Sequence, residues 1–283
     1  MKILLTGATG FIGNHFIQYA ISHKIISFSF HNDNISTLDL SDCDAVVHLA
    51  ALVHQMNGAV SEEYERINVI KTLELAQRAK SAGITQFVFM STVKVYGEEN
   101  DTAYTEATPC HPQEDYGKSK LRAEQELQKL NDIHFKVSII RTPIVYGAGV
   151  KGNIKILINL IQKIPVLPFG NTRNQRSMVY VGNLCALIES VLEHRVEGIF
   201  LACDDTILST SEFIRKIAFA FGKNFYLVQM PLFETLFRYL KPSFYQRLFG
   251  NLIVDNTLTK ERLKFHNPYT TEEGINNMIQ GKQ

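Results

Sequence analysis

Over the first 150 residues, short apolar runs alternate with longer stretches that have helical periodicity. The apolar runs are rich in β-branched and aromatic residues, whereas the stretches between them carry charges on one face. The predicted strands are Lys2–Thr6, Ile25–Phe30, Ala45–Leu49, Phe87–Ser91 and Lys136–Arg141. The predicted helices are Gly13–Ser22, Glu62–Ala82 and Tyr116–Leu130. Regular alternation of this kind is typical of a parallel sheet built from right-handed crossovers.

The regular alternation stops after Gly147. A helix is predicted at Ile154–Gln162 and another at Ser211–Phe221, with short strands at Met178–Val181 and Gly198–Ala202. The helix that begins at residue 211 has Ser209 or Ser211 as a possible N-cap, and Gly222 ends it. We therefore expect an α/β fold, a doubly wound parallel sheet of the Rossmann type. Residues 1–150 would form its dinucleotide-binding domain, and residues 151–283 mainly a smaller lobe, interleaved with it, over the carboxyl edge of the sheet.

A glycine-rich turn follows the first strand directly and opens the first helix. Its sequence is Gly7-Ala8-Thr9-Gly10-Phe11-Ile12-Gly13. Gly7 permits a tight turn, Gly10 lets the backbone approach a pyrophosphate, and Gly13 lets the helix pack closely on the strand. The helix N-terminus adds free N–H groups and the positive end of its dipole. The motif predicts a nicotinamide dinucleotide site.

The second strand gives no clear choice between NAD and NADP. An acid that holds the NAD ribose is expected about 20 residues beyond the glycines. That position falls at Ser29 or His31, and Asp33 comes somewhat late. Only about a dozen residues then lead to Asp44, so the usual third strand and its adenine contacts are shortened or absent. We expect NAD or NADP as the cofactor.

Tyr116 and Lys120 are spaced four apart within the predicted helix that begins at Tyr116. This spacing places them on one face, one turn from each other. An ammonium near a phenol lowers the pKa of the phenol, which can then exchange a proton with a substrate oxygen. Thr92 follows the strand Phe87–Ser91 and is placed to hydrogen-bond the same oxygen. The three residues predict a catalytic triad at the carboxyl edge of the sheet.

The chain resembles the extended short-chain dehydrogenases, and within them the sugar-nucleotide epimerase and dehydratase family. The resemblance rests on the glycine motif, Val47–Ala51, the strand end Ser91–Gly97, the Tyr116/Lys120 pair, and Arg141–Gly147. It implies that Thr92, Tyr116 and Lys120 are catalytic. The cofactor contacts that it implies are Gly7, Gly10, Phe11, Ile12, Gly13, Leu49, Ala50, Ala51, Tyr116, Lys120 and Pro143.

A closer resemblance is to bacterial 4-keto reductases and 4-epimerases that act on UDP-N-acetylated 6-deoxy sugars. It rests on His48–Met56, Ser91–Val95, Val150–Asn153 and the polar loop Asn174–Leu184. It implies that Thr92, Lys94, Asn153 and Arg176 bind the substrate. Arg176 and Asn153 would contact its diphosphate, for which the planar guanidinium fork of arginine is well suited.

The reaction is expected to take place at C4 of the sugar. Dehydratases of this family have an Asp-Glu pair after the threonine, whereas this chain has Val93 and Lys94. The resemblance favours 4-keto reduction of a UDP-4-keto-6-deoxy-N-acetylhexosamine in bacterial surface-polysaccharide biosynthesis. A UDP-sugar 4-epimerase is the alternative, because both reactions need the same triad. A non-catalytic NAD(P)-binding sensor is disfavoured because such proteins typically lose the tyrosine or the lysine.

Composition narrows the class further. The formal net charge is +1, which gives no indication of a nucleic-acid partner. No apolar stretch is long enough to span a membrane, and the first strand reaches Gly7 too soon for a signal peptide, so a cytoplasmic location is expected. The four cysteines lack metal-site spacing, and His48 and His54 are expected to be structural or pocket-lining, so we expect no metal site. A homodimer formed through Glu62–Ala82 and Tyr116–Leu130 is plausible by the resemblance.

Overall fold

The computed structural model of the chain describes residues 1–30, 33–53, 60–170, 172–230, 235, 238–240 and 242–282. His31, His54 and Met56, which the sequence analysis singled out, lie outside the described residues.

A six-stranded parallel sheet forms the centre of the molecule. In chain order its strands are β1 (Lys2–Thr6), β2 (Lys24–Phe28), β3 (Ala45–His48), β4 (Gln86–Thr92), β5 (Lys136–Thr142) and β9 (Gly198–Leu201). Across the sheet the order is β2-β1-β3-β4-β5-β9, and every neighbouring pair is parallel. Strands β3, β4 and β5 are almost entirely buried, as expected for strands covered on both faces. The predicted doubly wound α/β fold is confirmed.

No strand lies between β2 and β3 in the described part of this connection. Residues 33–44 contain only a single 3-10 turn, Ile35–Thr37, which Asn34 caps through its side chain. Strand β2 is therefore the outer strand on this side of the sheet. The short connection between residue 33 and Asp44 in the sequence correctly predicted that the usual third strand is shortened or absent here.

Helices cover both faces of the sheet and build the C-terminal lobe. They are α1 (Phe11–Tyr19), α2 (Ser61–Tyr64), α3 (Lys71–Ser81), α4 (Asp115–Leu130), α5 (Gly152–Lys163), α6 (Val181–His194), α7 (Thr210–Ala220), α8 (Pro242–Phe249), α9 (Thr257–Leu263) and α10 (Thr271–Gln280). Ser209 caps α7 in a capping box with Glu212, so the first of the two predicted N-caps is the correct one.

The predicted helix over residues 62–82 is interrupted by a π-helical segment, Glu65–Ile70, between α2 and α3. Asn68 of this segment is buried. Its side-chain oxygen accepts a hydrogen bond from the N–H of Leu52, and its amide nitrogen donates to the carbonyl of Leu52 and to the hydroxyl of Ser119. Single π turns inside helices are frequent at functional sites. Here the π-helical turn holds the segment that follows β3.

Helix α4 packs beside this π-helical segment. The predicted homodimer through residues 62–82 and 116–130 stays a prediction.

The sequence analysis missed three short strands: β6 (Ile144–Tyr146), β7 (Val166–Leu167) and β10 (Tyr226–Leu227). Strand β6 pairs with the predicted strand β8 (Met178–Tyr180), and β7 pairs with β10. Strands of two or three residues are too short to show periodicity. Strand β9 joins the main sheet beside β5, so the chain returns to the first unit after residue 151. The division of the chain at residue 150 stays a prediction.

A buried chain of polar side chains links β1, β3 and α3. The hydroxyl of Thr6 lies 2.7 Å from His48 Nδ1, and His48 Nε2 lies 2.9 Å from the hydroxyl of Thr72. Thr6 Oγ1 also accepts a hydrogen bond from the backbone N–H of Ala50, at 3.1 Å. Burial is the main cause that lowers the pKa of His48 to about 3, and the positive charge of Lys120 adds to it. His48 is therefore a neutral structural residue.

We predict that His48 makes the protein acid-sensitive. In the unfolded chain a histidine binds a proton below a pKa of about 6.5, whereas folded His48 stays neutral down to about 3. The free energy of unfolding should therefore fall, by up to about 1.4 kcal/mol per pH unit from this residue, as the pH drops from 6.5 towards 3. A His48→Gln variant should lose this dependence, although it is less stable at pH 7.

Denaturant unfolding at pH 7, 6 and 5 measures the effect. His134→Gln is the control, because His134 is exposed. Equal pH slopes for the wild type and His48→Gln would refute the assignment.

Candidate active site

The glycine turn after β1 has no room for side chains. Gly7 has a φ of 73°, and a Cβ there would lie 2.8 Å from the backbone nitrogen of Ala50. A Cβ at Gly13 would lie 2.2 Å from the carbonyl oxygen of Gly7, far inside any permitted contact. Helix α1 therefore rests directly on the turn, and this requirement explains two of the three glycines. At Gly10 a Cβ would meet Gly7 O at 3.0 Å.

The N-terminus of α1 can accept an anion. Gly10 is its N-cap residue, and no side chain caps it. Phe11 and Ile12 form the first turn, so their backbone N–H groups have no intrahelical partner. A bare helix start beside a turn without side chains fits the pyrophosphate of a dinucleotide.

The residues after β3 border the same turn. The contacts of Gly7 place Leu49 and Ala50 directly against it, and Ala51 follows. Thr6 accepts a hydrogen bond from the N–H of Ala50, and Asn68 accepts one from the N–H of Leu52, two residues further on. The sequence analysis predicted the alanines but gave no indication of Asn68, because a lone asparagine in a helical stretch carries no distinctive pattern.

An acid follows the end of β2, and a cation from α3 lies beside it. The carboxylate of Asp33 accepts a hydrogen bond from the N–H of Ser29 at 2.7 Å and so closes a turn. The ammonium of Lys71 lies 3.4 Å from the carbonyl oxygen of Phe30 and 5.4 Å from the centre of its ring. The geometry here does not narrow the expected cofactor beyond NAD or NADP.

A cavity of about 690 Å³ opens between the carboxyl ends of β4 and β5 and the C-terminal lobe. Six residues predicted from the sequence line it: Thr92, Lys94, Tyr116, Pro143, Asn153 and Arg176. Much of the remaining lining is apolar, including Ile154, Leu157, Leu160, Leu167, Phe169, Met178, Leu208, Phe213, Leu248 and Leu252. The predicted catalytic and substrate residues, Lys120 excepted, therefore share one cavity of a size suited to a small molecule.

Close packing brings Tyr116 to the end of β4. Tyr116 lies in the first turn of α4, and the next residue, Gly117, packs against the carbonyl of Lys94, where a Cβ would lie 2.8 Å from the oxygen. Thr92 is buried at the end of β4 and accepts a hydrogen bond from the N–H of Lys94 at 3.3 Å. The packing need at Gly117 was not foreseen, although a glycine beside the tyrosine was visible in the sequence.

The expected lowering of the Tyr116 pKa is wrong for this structure. Burial, with a smaller effect of Tyr64, raises the pKa of Tyr116 above its usual value. Lys120 does not produce the expected lowering, because its ammonium is directed elsewhere. It donates to the carbonyl of Met90 at 2.7 Å and lies 4.2 Å from the ring centre of Phe89. Tyr116 therefore carries its proton at neutral pH, which suits donation to an oxygen.

Lys120 is almost fully buried and belongs to a polar network in the core. Burial lowers its pKa to about 7, opposed by Glu124 one turn further along α4. Glu124 accepts hydrogen bonds from Ser91 and from Arg141, whose Nε lies 3.1 Å from Oε1. Ser91 precedes Thr92, so the network fixes the end of β4 against α4.

At the cavity wall Lys94 is bound by two carboxylates. Its ammonium lies 2.9 Å from Glu98 Oε2 and 2.6 Å from Glu114 Oε2. Glu98 lines the cavity, and Glu114 is the N-cap residue of α4. The sequence analysis missed both acids, although the four-residue spacing of Lys94 and Glu98 was readable as an ion pair.

The two predicted diphosphate contacts come from the C-terminal lobe. Asn153 is exposed in the first turn of α5. Arg176 pairs through its backbone with Leu208, and its side chain donates to the carbonyl of Gly250 at 2.9 Å. Gln246, another lining residue, gave no signal in the sequence.

Among the described residues, no group of three or more His, Cys, Asp or Glu side chains is arranged to hold a metal ion. Within those residues, no helix has both the length and the apolar character that a bilayer span requires.

Comparison with known proteins identifies the family. The model of the NAD dependent epimerase/dehydratase family matches residues 3–202. The chain belongs to this family. A relative from Vibrio cholerae, named UDP-glucose 4-epimerase, is 36% identical over 99% of this chain and 94% of its own length. This epimerase/dehydratase protein is also 27% identical to the N-acetyl-alpha-D-glucosaminyl-diphospho-ditrans,octacis-undecaprenol 4-epimerase of Escherichia coli O157:H7, over 81% of the chain and 75% of the relative.

Solved structures agree on the fold of this epimerase/dehydratase protein. UDP-N-acetylglucosamine 4-epimerase from Bacillus cereus matches with a TM-score of 0.79 and 21% identity, covering 99% of this chain and 98% of that one. The dTDP-4-dehydrorhamnose reductase from Bacillus anthracis, solved with NADP, also has a TM-score of 0.79, at 20% identity, covering 100% and 99%. The expected family is confirmed, and with it the expected use of a nicotinamide dinucleotide, since the family is NAD dependent.

We predict that Gly10→Val weakens cofactor binding without unfolding the protein. The side chain would lie against the carbonyl of Gly7 and fill the space in front of the α1 N-terminus. Affinity for NADH and NADPH, measured by fluorescence titration, should fall at least about tenfold. Ser22→Val, which places the same side chain in an exposed turn beyond the other end of α1, should bind normally. Unchanged affinity in a folded Gly10→Val protein would show that the cofactor binds elsewhere.

Proposed function

We propose that the protein is an NAD(P)-dependent oxidoreductase that acts at C4 of a UDP-sugar, and that its reaction is 4-epimerisation. The observation that carries the proposal is the cavity of about 690 Å³, whose lining includes Thr92 and Tyr116 together with Lys94, Asn153 and Arg176. The choice of epimerisation rests on the V. cholerae relative, because the similarity to it extends over nearly the whole of both chains.

In this proposal Tyr116 exchanges a proton with the oxygen at C4. The Tyr116 phenolate would take the proton of the C4 hydroxyl when that carbon is oxidised, and the phenol so formed would return a proton to the keto oxygen when the carbon is reduced. Thr92 donates a hydrogen bond to the same oxygen and fixes its position. Because Thr92 is held between β4 and the turn that follows, its hydroxyl has a defined direction.

The cofactor would be held by the glycine turn, the first turn of α1 and the residues after β3. When bound, its nicotinamide supplies hydride chemistry at the sugar carbon. Lys120 lies one turn from Tyr116 on α4, and its ammonium would have to leave the carbonyl of Met90 to reach the bound cofactor or the phenol. The substrate diphosphate would bind Arg176 and Asn153, and the apolar wall of the cavity would exclude water.

Reduction of a UDP-4-keto-6-deoxy-N-acetylhexosamine is the second candidate. One observation favours it. The raised pKa of Tyr116 keeps the phenol protonated, as reduction of a ketone requires. The resemblance that includes Ser91–Val95 extends to 4-keto reductases and 4-epimerases alike. The expected keto-reductase role stays a prediction.

We predict that Tyr116→Phe folds and binds the cofactor but loses turnover by about 10²–10⁴-fold, because only the proton donor is removed. The matched control is Tyr64→Phe, since the ring of Tyr64 lies 6.4 Å from that of Tyr116 but does not line the cavity. Steady-state rates with both variants test the assignment. Near-normal activity in Tyr116→Phe would remove Tyr116 from the reaction.

The two candidate reactions give different products. We expect an epimerase to equilibrate a UDP-sugar with its C4 isomer without net consumption of reduced cofactor. A reductase would instead consume NADH or NADPH mole for mole with a 4-keto-6-deoxy UDP-sugar. Product analysis by NMR, with the absorbance of the reduced nicotinamide followed in parallel, separates them. A 4-keto-6-deoxy product from a UDP-hexose would contradict both, because it is the product of a dehydratase.

A further inference from the structure

The outer face of the two-stranded sheet formed by β7 and β10 carries four exposed apolar side chains. Val166 and Tyr226 are register partners in this sheet, and they are 41% and 64% exposed. Ile164 and Val228, each two residues away along the chain, are 42% and 40% exposed. Alternate residues of an extended segment point to the same face. The four side chains therefore form one continuous surface, which we call the apolar stripe.

The opposite face of the same sheet is directed at the interior. Leu167 is buried and lines the cavity, and its register partner Leu227 packs against the hydrophobic core. A sheet with one face in water normally has polar residues on that face. The apolar stripe departs from this pattern. Adjoining apolar side chains on a surface mark an interaction site, whereas isolated ones do not.

The segments that carry the apolar stripe are rich in basic residues. Residues 151–176 contain five lysines and arginines, residues 213–230 contain three, and neither range contains an acid. One of these basic residues, Lys216, is paired with Glu272 of α10. The formal net charge of the whole chain is only +1, so positive charge is concentrated in this part of the C-terminal lobe.

Two lysines lie next to the apolar stripe. Lys163 is the last residue of α5, directly before Ile164, and its side chain is exposed. Lys223 is also exposed, and its ammonium donates to the carbonyl of Gln162, which brings it to the same end of α5. Cationic and apolar side chains therefore adjoin on one face of the lobe.

We infer that this face binds the surface of an anionic lipid bilayer. The apolar stripe would enter the boundary between the headgroups and the acyl chains, and Lys163 and Lys223 would contact negatively charged headgroups. The contact would hold the outer wall of the cavity against the membrane. The inference goes beyond the proposed function and does not depend on it, because no residue of the stripe lines the cavity.

Other occupants fit this face less well. In a symmetric pair of chains the same patch meets itself, so the lysines of one copy would face those of the other and repel them. An acidic protein would neutralise the lysines, but it would also have to match the shape of the stripe. A fluid bilayer offers negative charge and an apolar layer together, and it needs no such match.

Co-sedimentation of the full chain with lipid vesicles tests the inference. The vesicles consist of phosphatidylcholine alone or of phosphatidylcholine and phosphatidylglycerol in equal parts. Lys163→Gln/Lys223→Gln removes the two charges, and Val166→Ser/Tyr226→Ser removes the centre of the apolar stripe. None of these four residues lines the cavity, so affinity for NADH and NADPH should be normal in both variants. Tyr226→Ser alone serves if the double serine variant does not fold.

Matched controls lie on other parts of the surface. Lys118→Gln/Lys129→Gln removes two exposed charges from α4. Ile21→Ser/Ile133→Ser removes two apolar side chains that are 86% and 82% exposed, in the turns that follow α1 and α4. Both controls change the composition as much as the test variants do, but they leave the proposed face intact.

We expect the wild type and both controls to bind the phosphatidylglycerol vesicles at least about tenfold more tightly than those of phosphatidylcholine alone. Binding should weaken as the salt concentration rises. The lysine variant should bind at least about tenfold more weakly, because each basic residue near an anionic surface contributes a factor of about five. The serine variant should also lose at least about tenfold, because less apolar surface is buried.

Absence of wild-type binding, or equal binding to both kinds of vesicle, would overturn the inference. Loss in the lysine variant alone would also overturn it, since adsorption by charge does not need the stripe. Sedimentation velocity without vesicles tests the second copy: a dimer that the serine variant dissociates, with no vesicle binding by the wild type, would assign the face to self-association. Each of these results leaves the proposed function in place, because that function is measured without lipid.

Discussion

The contact of α1 with the turn after β1 is the constraint on which the dinucleotide half of the molecule depends. At Gly13 the helix and the carbonyl of Gly7 are so close that no side chain fits between them. This close contact places the first N–H groups of α1 at the carboxyl edge of the sheet. It also packs Gly7 against the backbone after β3. The polar chain through Thr6, His48 and Thr72 then fixes β1 and β3 to α3. Strand β1, helix α1 and the backbone after β3 therefore meet in close contact around one turn.

A second set of buried polar groups organises the catalytic half. Glu124 receives the guanidinium of Arg141 and the hydroxyl of Ser91, with Glu124 and Arg141 both almost fully buried. Removing one partner of such a pair costs about 3–5 kcal/mol, because the remaining charge stays buried without compensation. The network therefore fixes the position of α4 relative to β4. The positions of Tyr116 and Lys120, which lie on α4, are fixed with it.

Much of this could be predicted from the sequence, and the omissions have physical reasons. The strand pattern, the glycine turn and the Tyr116/Lys120 spacing are local signals, and they located the sheet, the helix N-terminus and the cavity wall. The position of the Lys120 ammonium is not local, because it depends on a carbonyl 30 residues earlier in the chain, that of Met90. For this reason the sign of the Tyr116 pKa shift was predicted wrongly. The roles of Asn68 and Glu114 likewise arise only when distant segments meet.

The absence of a strand beyond β2 in the described residues also concerns the stability of the protein in a crowded solution. Both borders of the main sheet are short, five residues in β2 and four in β9. A long, flat border offers its unpaired N–H and C=O groups to a strand of another molecule, which is how many sheet proteins aggregate. In β2 the exposed Lys24 stands at the beginning of the border, and a charge there opposes stacking of a second chain. The protein thus has a short and charged sheet edge on the side of the glycine turn.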